Sequence, residues 1–127
     1  MFSSLGILEY NPISNKTKNG EFWLILRCDS SILNYYSYWA NKQYNVHISK
    51  PVWGAHISIV RGEIPNNLHR WWKYNGQKLN FKYSNEIEFH SRYFLIPVFS
   101  DKFTLIRTEL GLSEKPIAPF HMSLGKI

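Results

Sequence analysis

Apolar residues recur along this chain in two rhythms, one that suits strands and one that suits helices. Residues 22–28 (FWLILRC) are apolar almost without a break and too few for a helix, which predicts a buried strand. Shorter or alternating runs predict strands at 5–10 (LGILEY), 55–60 (AHISIV), 78–83 (KLNFKY), 86–91 (EIEFHS), 92–99 (RYFLIPVF) and 120–125 (FHMSLG). Asp29 or Ser30 can cap a helix over 31–44, whose apolar positions Ile32, Tyr35, Tyr36 and Trp39 recur at helical spacing. A second helical stretch, 66–74 (NNLHRWWKY), is expected to end at the Asn75-Gly76 turn. Its adjacent Trp71 and Trp72 cannot share one face, so one is assigned to the core. A third begins at Asp101, runs over 101–110 and stops at Gly111, a suitable C-cap. Polar, turn-rich residues 11–20, then Pro51 and Gly54, then Arg61-Gly62, punctuate the pattern.

No linker or shift of composition divides these elements, so residues 1–127 are read as a single domain. Strands and helices mix without strict alternation, which favours an α+β fold with an antiparallel sheet over a doubly wound one. A weak internal repeat is visible: each half has a helix followed by an apolar strand carrying His-x-Ser. Two similar halves facing each other across a groove would fit.

Composition sharpens this picture. A hydrophobic content of 44% excludes a disordered tail. Aromatics reach 17%, and those not buried become candidate base-stacking surfaces. A net charge of +6 and a pI near 9.5 favour anionic partners such as nucleic acids and nucleotides. The basic residues form no run, which argues against a polybasic tail. Cys28 is the one cysteine, so no disulfide can form within the chain, and a reduced, intracellular setting fits. Cys28 itself is read as a buried small apolar residue. The first residues lack a basic stretch and no apolar run can span a bilayer, so neither a signal peptide nor a membrane span is expected. The expected location is the cytoplasm.

The chemistry lies in A-H-I-S-I-V and F-H-M-S-L-G. In a strand, side chains alternate faces, so His56 and Ser58 point one way, as do His121 and Ser123. Ile57 and Met122 then anchor the opposite face. Two such strands side by side offer two imidazoles and two hydroxyls to one ligand. One neutral imidazole can take a proton while the other, protonated, delivers one, and the hydroxyls can bind the non-bridging oxygens of a phosphodiester. No metal or other cofactor is expected. With thirteen Ser and three Thr in the chain, five His should give fewer than one chance match to His-x-Ser/Thr; there are three. The third, His47-Ile48-Ser49, runs into Lys50-Pro51, which breaks the alternation, and is set aside.

The paired elements resemble the 2H phosphoesterases, a family that includes RNA 2′,5′-ligase-like proteins and cyclic nucleotide phosphodiesterases. The resemblance implies a two-lobed α+β fold, two antiparallel sheets around a central groove flanked by helices. It implies His56, Ser58, His121 and Ser123 at the base of that groove as catalytic residues. L-G-I-L-E-Y, K-P-V-W-G-A-H-I-S-I-V-R-G-E and P-F-H-M-S-L-G look further like a small phage-encoded branch, the anti-CBASS phosphodiesterases. That branch degrades cyclic oligonucleotide signals of bacterial antiphage immunity. Its substrates would be cyclic di- or trinucleotides with 3′,5′ linkages, attacked by their own 2′-hydroxyls in an infected host's cytoplasm. Ser stands at both hydroxyl positions where the family frequently has Thr, which should preserve the chemistry.

Supporting residues are assigned by position. Tyr10 is a candidate to stack on a base, Trp53 and Tyr93 to line the groove, and Arg61 to meet a phosphate with Glu63 orienting it. His69 and His90 are read as surface or structural residues. Two other functions stay open: a 2′,3′-cyclic phosphodiesterase or RNA-end-processing enzyme, and a non-catalytic nucleotide- or RNA-binding module. Neither membrane contact nor stable duplex DNA binding is expected.

Overall fold

The computed structural model describes residues 1–12 and 21–127. Most of the predicted turn-rich segment 11–20 therefore lies outside the described residues.

Strands occupy Phe2–Tyr10 (β1), Trp23–Arg27 (β2), His56–Arg61 (β3), Lys78–Tyr83 (β4), Glu88–His90 (β5), Tyr93–Phe99 (β6) and His121–Lys126 (β7). Helices occupy Ser30–Tyr44 (α1) and Asp101–Glu109 (α2). The predicted helix at 66–74 shrinks to a 3-10 turn, Leu68–Arg70. Trp72 takes a left-handed backbone conformation that a continuing helix forbids, and the Asn67 side chain bonds the Glu109 carbonyl instead of capping a helix. Trp71 packs on the core and Trp72 is exposed, as their adjacency required.

Every strand pairing is antiparallel, in the order β4-β1-β2-β3-β7-β6-β5. A further pairing of β4 with β6, through Lys82–Phe99 and Tyr83–Val98, closes the first six strands on themselves. The α+β antiparallel expectation holds, but the expected two sheets are one sheet closed as a barrel. The reason is backbone pairing: hydrogen bonding runs on from β3 to β7 and from β6 to β4, which leaves the short β5 outside the closed ring. The repeat nevertheless has a counterpart. β1-β2-α1-β3 and β5-β6-α2-β7 follow the same order, with each helix crossing between neighbouring antiparallel strands.

Asp29 caps α1 by accepting from the Ser31 amide at 2.8 Å, and Ser100 caps α2. The buried stripe of α1 is Ile32, Leu33, Tyr36, Ser37 and Ala40. Of the expected inner positions, Tyr35 and Trp39 are about half exposed. The face turned to the barrel instead carries the small side chains of Ser37 and Ala40. One core cluster joins this stripe to Phe103, Ile106 and Leu110 of the α2 region through Leu24, Leu26, Ile57, Phe94, Ile96 and Met122.

Candidate active site

β3 and β7 carry the two His-x-Ser elements, and their burial patterns are identical along all six residues. Ile57 and Met122 have no exposed surface, while His56, Ser58, His121 and Ser123 are half-buried on the opposite face. The two strands pair antiparallel through Ile57 and Met122. That register sets His56 towards Ser123 and Ser58 towards His121. All four residues line one cleft of about 350 Å³, together with Ile59, Arg61, Glu63 and residues 116–119.

A β-bulge completes this wall. Leu24 faces Val60 and Ile25 faces Ser58, so Ile59 is the extra residue in β3. Simple alternation would point Val60 into the cleft; the bulge sends Ile59 and Val60 both inward and turns Arg61 to the side of His56 and Ser58. β7 has the same irregularity at Leu124, again three residues after its histidine. The repeat is thus longer than His-x-Ser. K-P-V-W-G-A-H-I-S-I-V-R at 50–61 aligns with K-P-I-A-P-F-H-M-S-L-G-K at 115–126, with Lys, Pro, His and Ser identical and a cation at each end. That alignment, visible in the sequence, was the signal for residues 116–119, which the reading of motif residues missed.

The imidazoles are held alike. Nδ1 of His56 lies 2.9 Å from the Gly54 carbonyl, and Nδ1 of His121 lies 2.8 Å from the Pro119 carbonyl. A carbonyl oxygen only accepts, so each Nδ1 carries the proton and each Nε2 is left for a ligand. Burial holds the His56 pKa below the ordinary imidazole value. The Gly54 carbonyl opposes this, and the positive charges of Arg27, Arg61 and His121 add to it. His56 is therefore held neutral at pH values where a free imidazole has begun to charge.

Arg61 lies at the cleft with its guanidinium 4.2 Å over the Trp23 ring and its Nε 3.5 Å from Glu21. Its acidic partner is thus Glu21, not Glu63. Glu63 instead forms a two-pronged ion pair with Arg107, 2.8 Å at each prong. Arg107 has no exposed surface and also donates to the carbonyls of Ile59 and Ser113. It holds the Glu63 carboxyl below its ordinary pKa. Neither Arg107 nor Trp23 was singled out from sequence, because only the fold shows what a lone cation or a strand Trp faces.

The other assignments divide. Trp53 is half-buried and meets Trp23 edge-on at 4.9 Å, beside the cleft wall but not on it. Tyr10 is 2% exposed, packed against Trp71 and Trp72 with its hydroxyl accepting from the Tyr74 amide, so it has no surface to offer a base. It is core because β1 turns every second residue from Leu8 inward. Tyr93 is half exposed on β6 opposite Lys126, away from the cleft lining. His47 is exposed, and Ser49 pairs with Lys126 outside the cleft. His69 and His90 are exposed, and His90 Nε2 bonds Glu88 at 2.8 Å. Cys28 is half-buried, and burial pushes its thiol up to about 12, so it is no nucleophile at neutral pH.

Among the described residues, no cluster of three or more His, Cys, Asp or Glu is placed to hold a metal ion, and no helix is long and apolar enough to cross a membrane. Comparison with known proteins adds no relative: no protein family, curated protein or solved structure matches the chain.

Proposed function

We propose that this chain is a metal-independent phosphodiesterase that opens the 3′,5′ linkages of cyclic di- or trinucleotides, as the anti-CBASS branch of the 2H phosphoesterases does. The observation that carries the reading is the pair of imidazoles on one cleft, each tied at Nδ1 to a backbone carbonyl with Nε2 free, and each set towards the hydroxyl of the other strand. A site for binding alone would favour fixed cations over two titratable rings.

In this reading His56, neutral by burial, takes the proton of the substrate's 2′-hydroxyl. The 2′-oxygen bonds to phosphorus, and the bond from phosphorus to the 5′-oxygen breaks. His121 gives its Nε2 proton to that leaving oxygen, and a 2′,3′-cyclic phosphate forms. Ser58 and Ser123 donate to the non-bridging oxygens as charge builds. Water can open the cyclic phosphate with the two histidines in exchanged roles. Arg61 faces a neighbouring phosphate. The reaction would take place in the cytoplasm of an infected bacterium.

The test is turnover of cyclic dinucleotides and of 2′,3′-cyclic nucleotides in the presence of a chelator. Linear products are expected from the cyclic dinucleotides. His56→Ala and His121→Ala should each lower turnover by about 10²-fold or more. Opening of the 2′,3′-cyclic substrates alone would replace this reading with an end-processing enzyme, and tight binding without turnover would replace it with a binding module.

A further inference from the structure

The cleft is built on two near-copies of one strand, yet its serines are not equivalent, and the difference comes from a residue outside the cleft. Trp23 opens β2 and has no exposed surface. Its indole Nε1–H donates to Ser58 Oγ at 3.0 Å. Its ring meets the His56 ring edge-on at 5.8 Å and carries the Arg61 guanidinium 4.2 Å over its face. The matching place on β6 belongs to Tyr93: Trp23 lies opposite Arg61 as Tyr93 lies opposite Lys126. Tyr93 is half exposed, and Ser123 Oγ has no hydrogen-bond partner among the described residues.

A serine hydroxyl has one proton and two lone pairs, and an indole N–H can only donate. With the indole on one lone pair, the Ser58 proton cannot point back towards Trp23, and the open direction is the cleft. The Ser123 proton is free to rotate. A donor already aimed at the site of developing charge needs no reorganisation during the reaction. We propose that Trp23 is a positioning residue that makes Ser58 the principal hydrogen-bond donor to the phosphoryl oxygen, an inference that rests on the phosphodiesterase reading above. The same ring holds Arg61 against the wall that receives the substrate, so one buried side chain orders three groups of one half-site. Among the described residues nothing comparable orders the other half.

Trp23→Phe keeps a ring in place and removes the N–H. On whichever diester the wild type cleaves, kcat should fall about tenfold, the scale of one lost hydrogen bond at a reacting centre, with KM changed less. Ser58→Ala should cost about 10²-fold, and Ser123→Ala less. In the Ser58→Ala background, Trp23→Phe should have no further effect on kcat, which a merely structural tryptophan would not produce. If Trp23→Phe does not fold, 3-benzothienylalanine placed at position 23 alone keeps the two-ring shape without the N–H and is expected to reproduce the loss. Full additivity with Ser58→Ala, unchanged kcat, or equal losses from the two serine variants would overturn the proposal while leaving the phosphodiesterase reading intact. Calorimetry with inorganic phosphate separates the two: a wild type that neither cleaves a diester nor binds phosphate overturns both.

Discussion

The two histidines share a sequence context and a backbone anchor, but the His56 anchor is partly buried and the His121 anchor exposed, which under the proposed reaction suits His56 to the base. Burial is the first cause of the low His56 pKa, with neighbouring cations adding to it. The acidic limb of the kcat/KM profile should therefore fall below the usual imidazole pKa of about 6.5, and a pH series of initial rates checks this. Stability follows with a definite sign. The unfolded chain takes up a proton at His56 below about pH 6.5, and the folded chain resists it until lower pH. Stability should thus fall as pH drops through that window, and His56→Gln should flatten the fall in urea titrations at several pH values. Arg107 shows the same logic in a structural role. Its fork spans Glu63 and the carbonyls of Ile59 and Ser113, tying the bulged edge of the cleft to the root of the 116–119 segment. Arg107→Met leaves those acceptors without their donor and should cost about 3 kcal/mol, measured by urea denaturation.

At the scale of elements, the strands do more than present alternating faces. Each motif strand alternates through His-x-Ser, then bulges, and the bulge decides what the next cation faces. In β3 this brings Arg61 to the cleft. In β7 the residue after the bulge is Gly125, with φ of 145°, and a Cβ there would lie 2.3 Å from the Ser49 carbonyl oxygen. The close approach lets Ser49 pair with Lys126 beyond the reach of β3. Gly125→Ala should therefore cost about 2 kcal/mol, since both the backbone conformation and the space exclude a side chain. Thermal unfolding reads the loss, and a variant as stable as wild type would show that the Ser49 pairing is dispensable. The helices were harder to read. Tyr35 and Trp39 have the spacing of an inner face, but α1 turns Leu33, Ser37 and Ala40 to the barrel, where small side chains allow close approach. Periodicity alone fits either neighbouring stripe when both contain apolar residues.

Across the whole molecule, the barrel is not equally joined around its circumference. β1 and β2 pair over four residues, whereas β3 and β7 pair through Ile57 and Met122 alone. The strands part where the catalytic candidates stand, which is how a closed barrel keeps a cleft. That junction should be the first to open. In native-state hydrogen exchange, the amides of Ser58 and Ser123, which face that junction, are expected to exchange faster than those of Glu9 and Ile25, which face the β1–β2 pairing. Equal protection would mean that the two halves open only together.

Much of this was written in the chain. Alternation about His56 and His121 placed each histidine with its serine and each intervening apolar residue in the core, because a strand's period of two leaves no other choice once one face is buried. The cap of α1, at Asp29 of the two candidates offered, and the helix start at Asp101 were legible for the same local reason. What the chain could not show was the partner of each long side chain. That Arg61 meets Glu21, that Arg107 holds Glu63, that Tyr10 is core and that Trp23 reaches Ser58 all depend on strands distant in sequence becoming neighbours. The β2–β3 register brings Trp23 to Ser58 and Arg61, and the packing of α2 brings Arg107 to Ile59 and Glu63; both are set in three dimensions and not by any local pattern.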